Sequence, residues 1–461
     1  MSSNISNNNA STYSSIESLA RPSILKLRPY QSARSVAARS FAAGDAPLSP
    51  SENSNTINTV YLDANESPYS TNEIPLNRYP DPQPAALKNR MAELYNVPAH
   101  QLLIGRGADE AIDLLVRVFC EPGKDRILIC PPTYGMYEVS AQIQDVEICR
   151  VPLKAGVKAV PAPLTTNSMF SSDIKAKCRS SFQLDFQGIV DALMERRQTE
   201  SGDEAGPIKL IFICSPNNPT GTAFDLDIIY RICEAAMGRA IVVVDEAYAE
   251  FHLSEGGRPE SVERPVPMSM QTNLGQGRVT QKCVTQTCVS MLSEISRFPN
   301  LVVLRTLSKA WAMAGVRCGV AIAQEPLVQL LQKVRAPYPL SYPSIQAAWM
   351  GIDRLQEEVL RSRIATIRRE RERLVDELSS LPSVEEIFPT ETNFILVKFK
   401  NAKEVMTVSR AQGIVLRDRS SEPGLDGCIR ITVGSKSENA ALISVLRGRQ
   451  QRNYNYGELS L

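Results

Sequence analysis

Histidine is nearly missing from this chain: His100 and His252 are the only two in 461 residues. That speaks against a histidine-built metal centre or a Ser-His-Asp type of triad. Charge of one sign is not in excess either, since 51 Lys and Arg stand against 50 Asp and Glu for a net charge of +1. Neither a nucleic acid nor an anionic membrane is indicated as a partner. No stretch approaches the roughly 18 apolar residues of a membrane span. The N-terminus is rich in Ser and Asn rather than apolar, which argues against a secretory signal, and the first twenty residues hold no Lys or Arg, which argues against a transit peptide. Close cysteine pairs are scarce: among ten cysteines only Cys283 and Cys288 are near each other, without CxxC spacing. Several others (Cys120, Cys130, Cys214, Cys318) sit inside apolar runs. Reduced, mostly buried thiols in a cytoplasmic protein without a metal site are the expectation.

What is present is ordinary globular material, 43% hydrophobic and 22% charged, and long enough for two packed domains. Residues 1–22 read as a disordered polar tail and 23–60 as an N-terminal arm. Residues 61–336 read as a large α/β domain and 337–455 as a smaller α+β domain. The large domain opens with a short strand at Val60–Ser67, and two Ser/Thr/Gln/Pro-rich stretches, 154–181 and 254–296, look like surface insertions. Long charged helices over Ala347–Leu381 precede short strands at Phe394–Val397, Ile414–Leu416 and Cys428–Ile431.

A repeated arrangement is more informative. Four continuous apolar runs end in polar or aromatic residues: Ile127–Cys130 into PPTYG, Leu210–Cys214 into SPNNPTG, Ile241–Val244 into DEAY, and Leu301–Leu304 into RTLSK. Continuous rather than alternating apolarity marks strands covered on both faces, as in a parallel sheet flanked by helices. In such sheets ligands sit at the carboxyl ends of the strands. Tyr134, Asn218, Asp245, Tyr248 and Lys309 should therefore meet in one crevice. A glycine turn, Gly105-Arg106-Gly107, enters a helix at Ala108 whose first amides, through Asp109, suit an anion.

Taken alone, Lys309 is a solvated lysine at a strand end. With Thr306, Ser308 and Arg317 around it, the same stretch offers hydroxyls and a guanidinium for a phosphate and an amine for a Schiff base with an aldehyde. Those needs coincide in pyridoxal 5'-phosphate. A buried carboxylate keeps such a ring's nitrogen protonated, and Asp245 is better placed for that than Glu246, which points the other way if the strand continues. Asn218 and the Tyr248 hydroxyl suit the ring's phenolic oxygen, Tyr134 suits its face, and Thr306, Ser308, Arg317 and the Gly107–Ala108–Asp109 amides suit its phosphate. Once displaced, Lys309 is the candidate to shuttle a proton.

The motifs CSPNNPTG, VVVDEAY, LRTLSKAWAMAGVRCG and RITVG resemble the fold-type I pyridoxal-phosphate aminotransferases. More narrowly, LRPYQSAR, LDANE, NRYPDPQ, GRGADEAIDLL, FCEPGKD, CPPTYGMY and APYPLS resemble the histidinol-phosphate aminotransferase family, from about residue 25 to 450 apart from the two insertions. The resemblance implies a large domain with a mostly parallel seven-stranded sheet and an arm that packs with the small domain and a partner subunit. It implies a homodimer, with Tyr79 reaching the partner subunit's cofactor phosphate. It implies amino transfer between L-histidinol phosphate and 2-oxoglutarate, giving imidazole acetol phosphate and glutamate. Arg430 and Arg417 match the family's arginines for the substrate's anionic group, and Tyr30, Asn65 and Tyr338 match positions lining the substrate site. Trp311 departs from the family, which usually has Phe there.

The rival readings are an aromatic amino acid transaminase or a phospho-amino-acid decarboxylase of the same fold, and, in a different class, a pyridoxal-binding regulator. A second pocket arginine and the LRPYQSAR arm speak against the first. The presence of both Lys309 and Asp245, with no winged helix in view, speaks against the last.

Overall fold

The computed structural model describes residues 16–28, 60, 62–70, 76–156, 181–195, 206–252 and 290–448. In chain order the strands are β1 (Leu102–Gly105), β2 (Arg126–Ile129), β3 (Glu147–Arg150), β4 (Lys154–Gly156), β5 (Ser181–Gln183), β6 (Ile208–Cys214) and β7 (Ile241–Asp245). There follow β8 (Leu301–Thr306), β9 (Gly319–Ala323), β10 (Val384–Ile387), β11 (Phe394–Phe399), β12 (Arg417–Asp418) and β13 (Cys428–Thr432). The main sheet has seven strands in the order β1-β9-β8-β7-β6-β2-β3. The pairs from β8 through β7, β6 and β2 to β3 are parallel, while β9 runs antiparallel to both β8 and β1. The reversal has a local cause. Residues 307–318 join β8 to β9 and return as a local loop with no long helix in it, so β9 comes back antiparallel instead of crossing over. That return loop carries Lys309 and Arg317, and it is closed by hydrogen bonds from the Leu307 N–H to the Cys318 carbonyl (3.0 Å) and from the Met313 N–H to the Leu307 carbonyl (3.0 Å).

The apolar runs alternate between two cores, one on each face of the sheet. Val242 and Val244 of β7 and Leu301 and Val303 of β8 belong to one core. Ile241 and Val243, with Val302 and Leu304, belong to the other. Continuing that alternation by one step sends Glu246 and Arg305 to the first face, and Asp245 and Thr306 to the second. The helix Ala108–Phe119 covers the second face with Ile112, Leu115 and Phe119, all fully buried.

The smaller sheet is antiparallel, in the order β10-β11-β13-β12. It packs its own core, which includes Leu374, Leu378, Val397, Ile429 and Ile431, against the helices Arg354–Ser379, Ala402–Ala411 and Lys436–Leu446. The last of these begins with a capping box between Ser435 and Glu438.

Several expectations change at the edges. No strand forms over residues 60 and 62–67; Asn65 takes a left-handed φ of 54°, and Glu66 instead holds Arg78 (2.8 Å) and the Tyr79 N–H (2.6 Å). Residues 16–22 are not a free tail: a short 3-10 helix at Ile16–Leu19 and the helix Pro22–Lys26 lie against the large domain. Leu19 and Ala20 are buried in its second core, and Arg21 pairs with Glu121 at 3.1 Å. The stretch 254–296 ends inside the protein, since Met291 and Ile295 are buried in the first core. Residues 154–156 pair with β5, and residues 157–180 and 254–289 of the two stretches lie outside the described residues. The charged helical region divides into Tyr342–Gly351 and Arg354–Ser379, and Leu340, Ile345, Ala348 and Ile352 pack in the large domain's first core rather than in the small domain. The strand read at 414–416 forms only at Arg417–Asp418; Val415 is 90% exposed, with no core around it among the described residues.

Candidate active site

The carboxyl ends of β6, β7 and β8, the Thr133–Gly135 turn after β2 and the start of the Ala108–Phe119 helix enclose a cavity of about 130 Å³. At one end the turn Gly105–Gly107, closed by the Gly107 N–H on the Gly105 carbonyl (2.9 Å), leads into that helix. Gly107 has φ +81°, and a Cβ there would lie 3.2 Å from the Arg317 guanidinium. The positive φ favours glycine here, and an added Cβ would also press on the end of the Arg317 side chain. The helix N-terminus brings the amides of Ala108 and Asp109, with the positive end of the helix dipole, to the cavity. Thr306 and Ser308 supply hydroxyls 3.0 Å apart, and Arg317 Nη2 donates to Asp109 Oδ2 at 3.2 Å. Tyr134 lines the wall, its hydroxyl donating to Asp109 Oδ1 at 3.0 Å.

At the other end lies Asp245, 3% exposed. Its Oδ1 accepts from the Ala247 N–H (3.1 Å) and its Oδ2 from the Tyr137 hydroxyl (2.8 Å). Burial pushes its carboxyl up to about 6, opposed by those two donors. Lys309 faces the same space with its Nζ 5.4 Å from the centre of the Tyr248 ring. Loss of water lowers the Lys309 pKa first, and the Arg430 guanidinium lowers it further. Burial holds the Tyr248 hydroxyl well above its usual range. Asn218 lies on the wall and accepts from Arg430 Nη1 at 2.5 Å, so β13 of the small sheet reaches the cavity through that arginine.

Eleven of the twelve residues expected around the cofactor line this one cavity: Gly107, Ala108, Asp109, Tyr134, Asn218, Asp245, Tyr248, Thr306, Ser308, Lys309 and Arg317. Tyr79 lies outside it, half exposed, and stacks on Tyr338 with ring centroids 4.5 Å apart. Arg417 is exposed and stands opposite Arg430 in the β12–β13 register. Asn65 is exposed, and Tyr30 lies outside the described residues. Three contributors escaped the sequence reading. Cys214 and Ala247 line the cavity and Tyr137 holds Asp245. Cys214 was legible in principle, since it ends β6 directly opposite Asp245 in the parallel register.

The donor set suits one kind of guest: an anion at the helix N-terminus with Arg317, a protonated ring nitrogen at Asp245, and a carbonyl carbon within reach of a lysine of lowered pKa. Pyridoxal 5'-phosphate has all three.

The family model for class I and II aminotransferases matches residues 46–446. The chain is 38% identical to the histidinol-phosphate aminotransferase of Escherichia coli O45:K1 (strain S88 / ExPEC) over 439 residues, 94% of this chain and 98% of that protein. It has the same identity and coverage with that of Shigella boydii serotype 18 (strain CDC 3083-94 / BS512). Among solved structures, the histidinol-phosphate aminotransferase of Clostridium acetobutylicum superposes with a TM-score of 0.60 at 19% identity, covering 81% of this chain and 90% of that one. That of Sinorhizobium meliloti, solved in complex with pyridoxal-5'-phosphate, gives 0.58 at 20% identity, covering 81% and 84%. At those identities the structural likeness speaks for the fold.

Proposed function

The chain belongs to the class I and II aminotransferases and, within them, to the histidinol-phosphate aminotransferases, and from that premise we propose that it interconverts L-histidinol phosphate and 2-oxoglutarate with imidazole acetol phosphate and L-glutamate. It is a pyridoxal-phosphate-dependent transaminase. When bound, the cofactor supplies an aldehyde that takes up amines and a ring that accepts the electrons of a broken Cα–H bond. The residues of the chain do the rest. Lys309 is the amine that would hold the aldehyde carbon, and its Nζ, whose pKa is lowered by loss of water and by Arg430, is the group placed to take and return the Cα proton. Asp245 would keep a proton on the ring nitrogen. Asn218 and the Tyr248 hydroxyl would serve the phenolic oxygen, and Thr306, Ser308, Arg317 and the Ala108 and Asp109 amides would hold the phosphate. Tyr134 would cover one face of the ring.

Arg430 and Arg417 bind the anionic end of the substrate. Histidinol phosphate ends in a dianion, glutamate and 2-oxoglutarate in carboxylates, and two guanidiniums supply donors enough for either. The family assigns Tyr30, Asn65 and Tyr338 to the same pocket, and a homodimer in which Tyr79 reaches the partner subunit's cofactor phosphate; the exposure of Asn65 and Tyr79 in the single chain is in keeping with a second copy covering them. No helix among the described residues is long and apolar enough to cross a membrane; we place the enzyme in the cytoplasm, as a step of histidine biosynthesis.

The observation that carries the proposal is the meeting of Lys309, Asp245 and the Gly107–Arg317 phosphate cup in one cavity of a chain that spans nearly the whole length of these aminotransferases. The test is kcat/KM for histidinol phosphate against phenylalanine and tyrosine with 2-oxoglutarate as acceptor, with CO2 release followed in parallel. Preference for histidinol phosphate by at least about tenfold, a difference of ~1.4 kcal/mol in transition-state binding, with glutamate formed and no CO2, supports it. Phenylalanine matching histidinol phosphate, or CO2 released without glutamate, overturns it.

A further inference from the structure

Asp245 is a buried anion with no cation among the side chains that hydrogen-bond it. Of its two fixed donors, one is the backbone N–H of Ala247, on the same strand end; the other is the Tyr137 hydroxyl, 108 residues away in sequence, 2.8 Å from Oδ2. Tyr137 is the second residue of the helix Met136–Ile143 and is 0% exposed. Its ring lies stacked on Phe212 (centroids 4.7 Å apart, planes at 11°) and meets Tyr134 edge to face (5.6 Å, 84°). With the ring clamped on two sides, the hydroxyl oxygen has one place to be. The other titratable or charged groups around this carboxylate are Asp109, Lys309, Cys214, Tyr134 and Tyr248. The Cys214 thiol donates to the Pro216 carbonyl at 3.4 Å and also lies in hydrogen-bonding contact with the Tyr137 hydroxyl.

A neutral phenol is the fitting donor for this position. It stabilises the ionised carboxylate by a charge-assisted hydrogen bond and fixes which way its second oxygen points, yet it leaves the negative charge uncancelled. A lysine or arginine in its place would satisfy the carboxylate and neutralise the charge that a protonated ring nitrogen needs. We propose, resting on the cofactor reading above, that Tyr137 is the positioning residue for Asp245: its hydroxyl holds Oδ2 so that the carboxylate stays ionised and aimed at the cofactor's ring nitrogen. The residue acts through Asp245 and touches no substrate.

The test is Tyr137→Phe, which keeps the stacked ring and removes only the hydroxyl. The readouts are the dissociation constant for pyridoxal 5'-phosphate titrated into the apoenzyme, the pH dependence of the visible absorption of the bound cofactor, and kcat against KM. The expected result is a dissociation constant raised about tenfold or more, the range for losing a hydrogen bond to a charged group. The acid limb of the absorption should move to higher pH, and kcat should fall while KM for the amino donor changes by less than about threefold. In an Asp245→Ala background the same substitution should change the dissociation constant by less than about twofold. Wild-type affinity, absorption and kcat in Tyr137→Phe, or an equal loss in the Asp245→Ala background, would overturn the proposal, the latter by making the hydroxyl a packing group. Should Tyr137→Phe fail to fold, 3-fluorotyrosine at position 137 keeps the shape and strengthens the acid; the acid limb should then move to lower pH, and an unmoved limb overturns the proposal. The wild-type titration in the same series separates the two readings: a wild type that binds no pyridoxal 5'-phosphate ends the cofactor reading, whereas a binding wild type with an indifferent Tyr137→Phe ends only this inference.

Discussion

Asp245 and Glu246 are neighbours at the end of β7, both at most 3% exposed, and they have opposite fates. Glu246 points to the first face of the sheet and is saturated there: Arg305 lies at 2.9 Å, the Ser290 hydroxyl donates at 2.7 Å and the Met291 N–H at 2.6 Å. Arg305 also reaches Glu250 at 3.2 Å. Asp245 points to the second face, into the cavity, and among the described residues receives hydrogen bonds from the neutral donors of Ala247 and Tyr137 alone. One residue step on a strand thus separates a carboxylate whose charge is cancelled inside the protein from one whose charge is left standing. Burying an anion without a cation costs stability, and proteins keep such groups where a ligand will complete them. Glu246 and Arg305 tie β7 to β8 from behind; Asp245 and Thr306 line the cavity in front, where we propose the cofactor sits.

The contrast breaks most completely if the front of these strands is not where the chemistry happens. Lys309→Ala should lose the visible absorption of bound cofactor, or most of it, and lower transamination by about a thousandfold or more; Glu246→Gln should leave turnover per folded molecule within about threefold. Absorption spectroscopy and a coupled glutamate assay on both proteins check this. Arg305→Met probes the back: it leaves Glu246 and Glu250 buried without their cation, and should cost about 3–5 kcal/mol in chemical denaturation while the folded fraction still binds cofactor. A smaller effect is expected at the cavity mouth. Arg430→Gln removes the guanidinium that touches Asn218 and should raise KM for histidinol phosphate about tenfold with a lesser change in kcat, measured by initial rates.

The placement of these groups was legible because it follows from two periodicities. Aliphatic runs ending in Asp245 and Lys309 announce buried parallel strands, and alternation along β7 separates Asp245 from Glu246 without any tertiary information. The role of Tyr137 was not legible. It sits in CPPTYGMY three residues after Tyr134, and nothing local says that its ring will stack on Phe212 and its hydroxyl reach a strand 108 residues away. Composition misled at 290–296, where a polar stretch hides Met291 and Ile295, both buried, and the Met291 N–H that caps Glu246. The strand read at 60–67 failed for a different reason: Glu66 spends its carboxylate on Arg78 and the Tyr79 N–H, and the left-handed Asn65 turns the chain out of an extended path.

The uncancelled charge of Asp245 is most directly tested by the unfolding free energy of the apoenzyme and of Asp245→Asn across pH, with and without pyridoxal 5'-phosphate. The folded carboxyl titrates near 6, above its ordinary value of 3.8. Between those values the folded chain therefore holds more protons than the unfolded one, so stability falls as pH rises through that window and the full penalty stands above about pH 6. Asp245→Asn should accordingly make the apoenzyme more stable at pH 7.5, by up to about 3 kcal/mol. The advantage should fade toward pH 4, and added cofactor should reverse the order in favour of the wild type. An Asp245→Asn apoenzyme no more stable than wild type at pH 7.5, or one stabilised by the cofactor as strongly as wild type, would contradict the assignment of this carboxylate to the cofactor's ring.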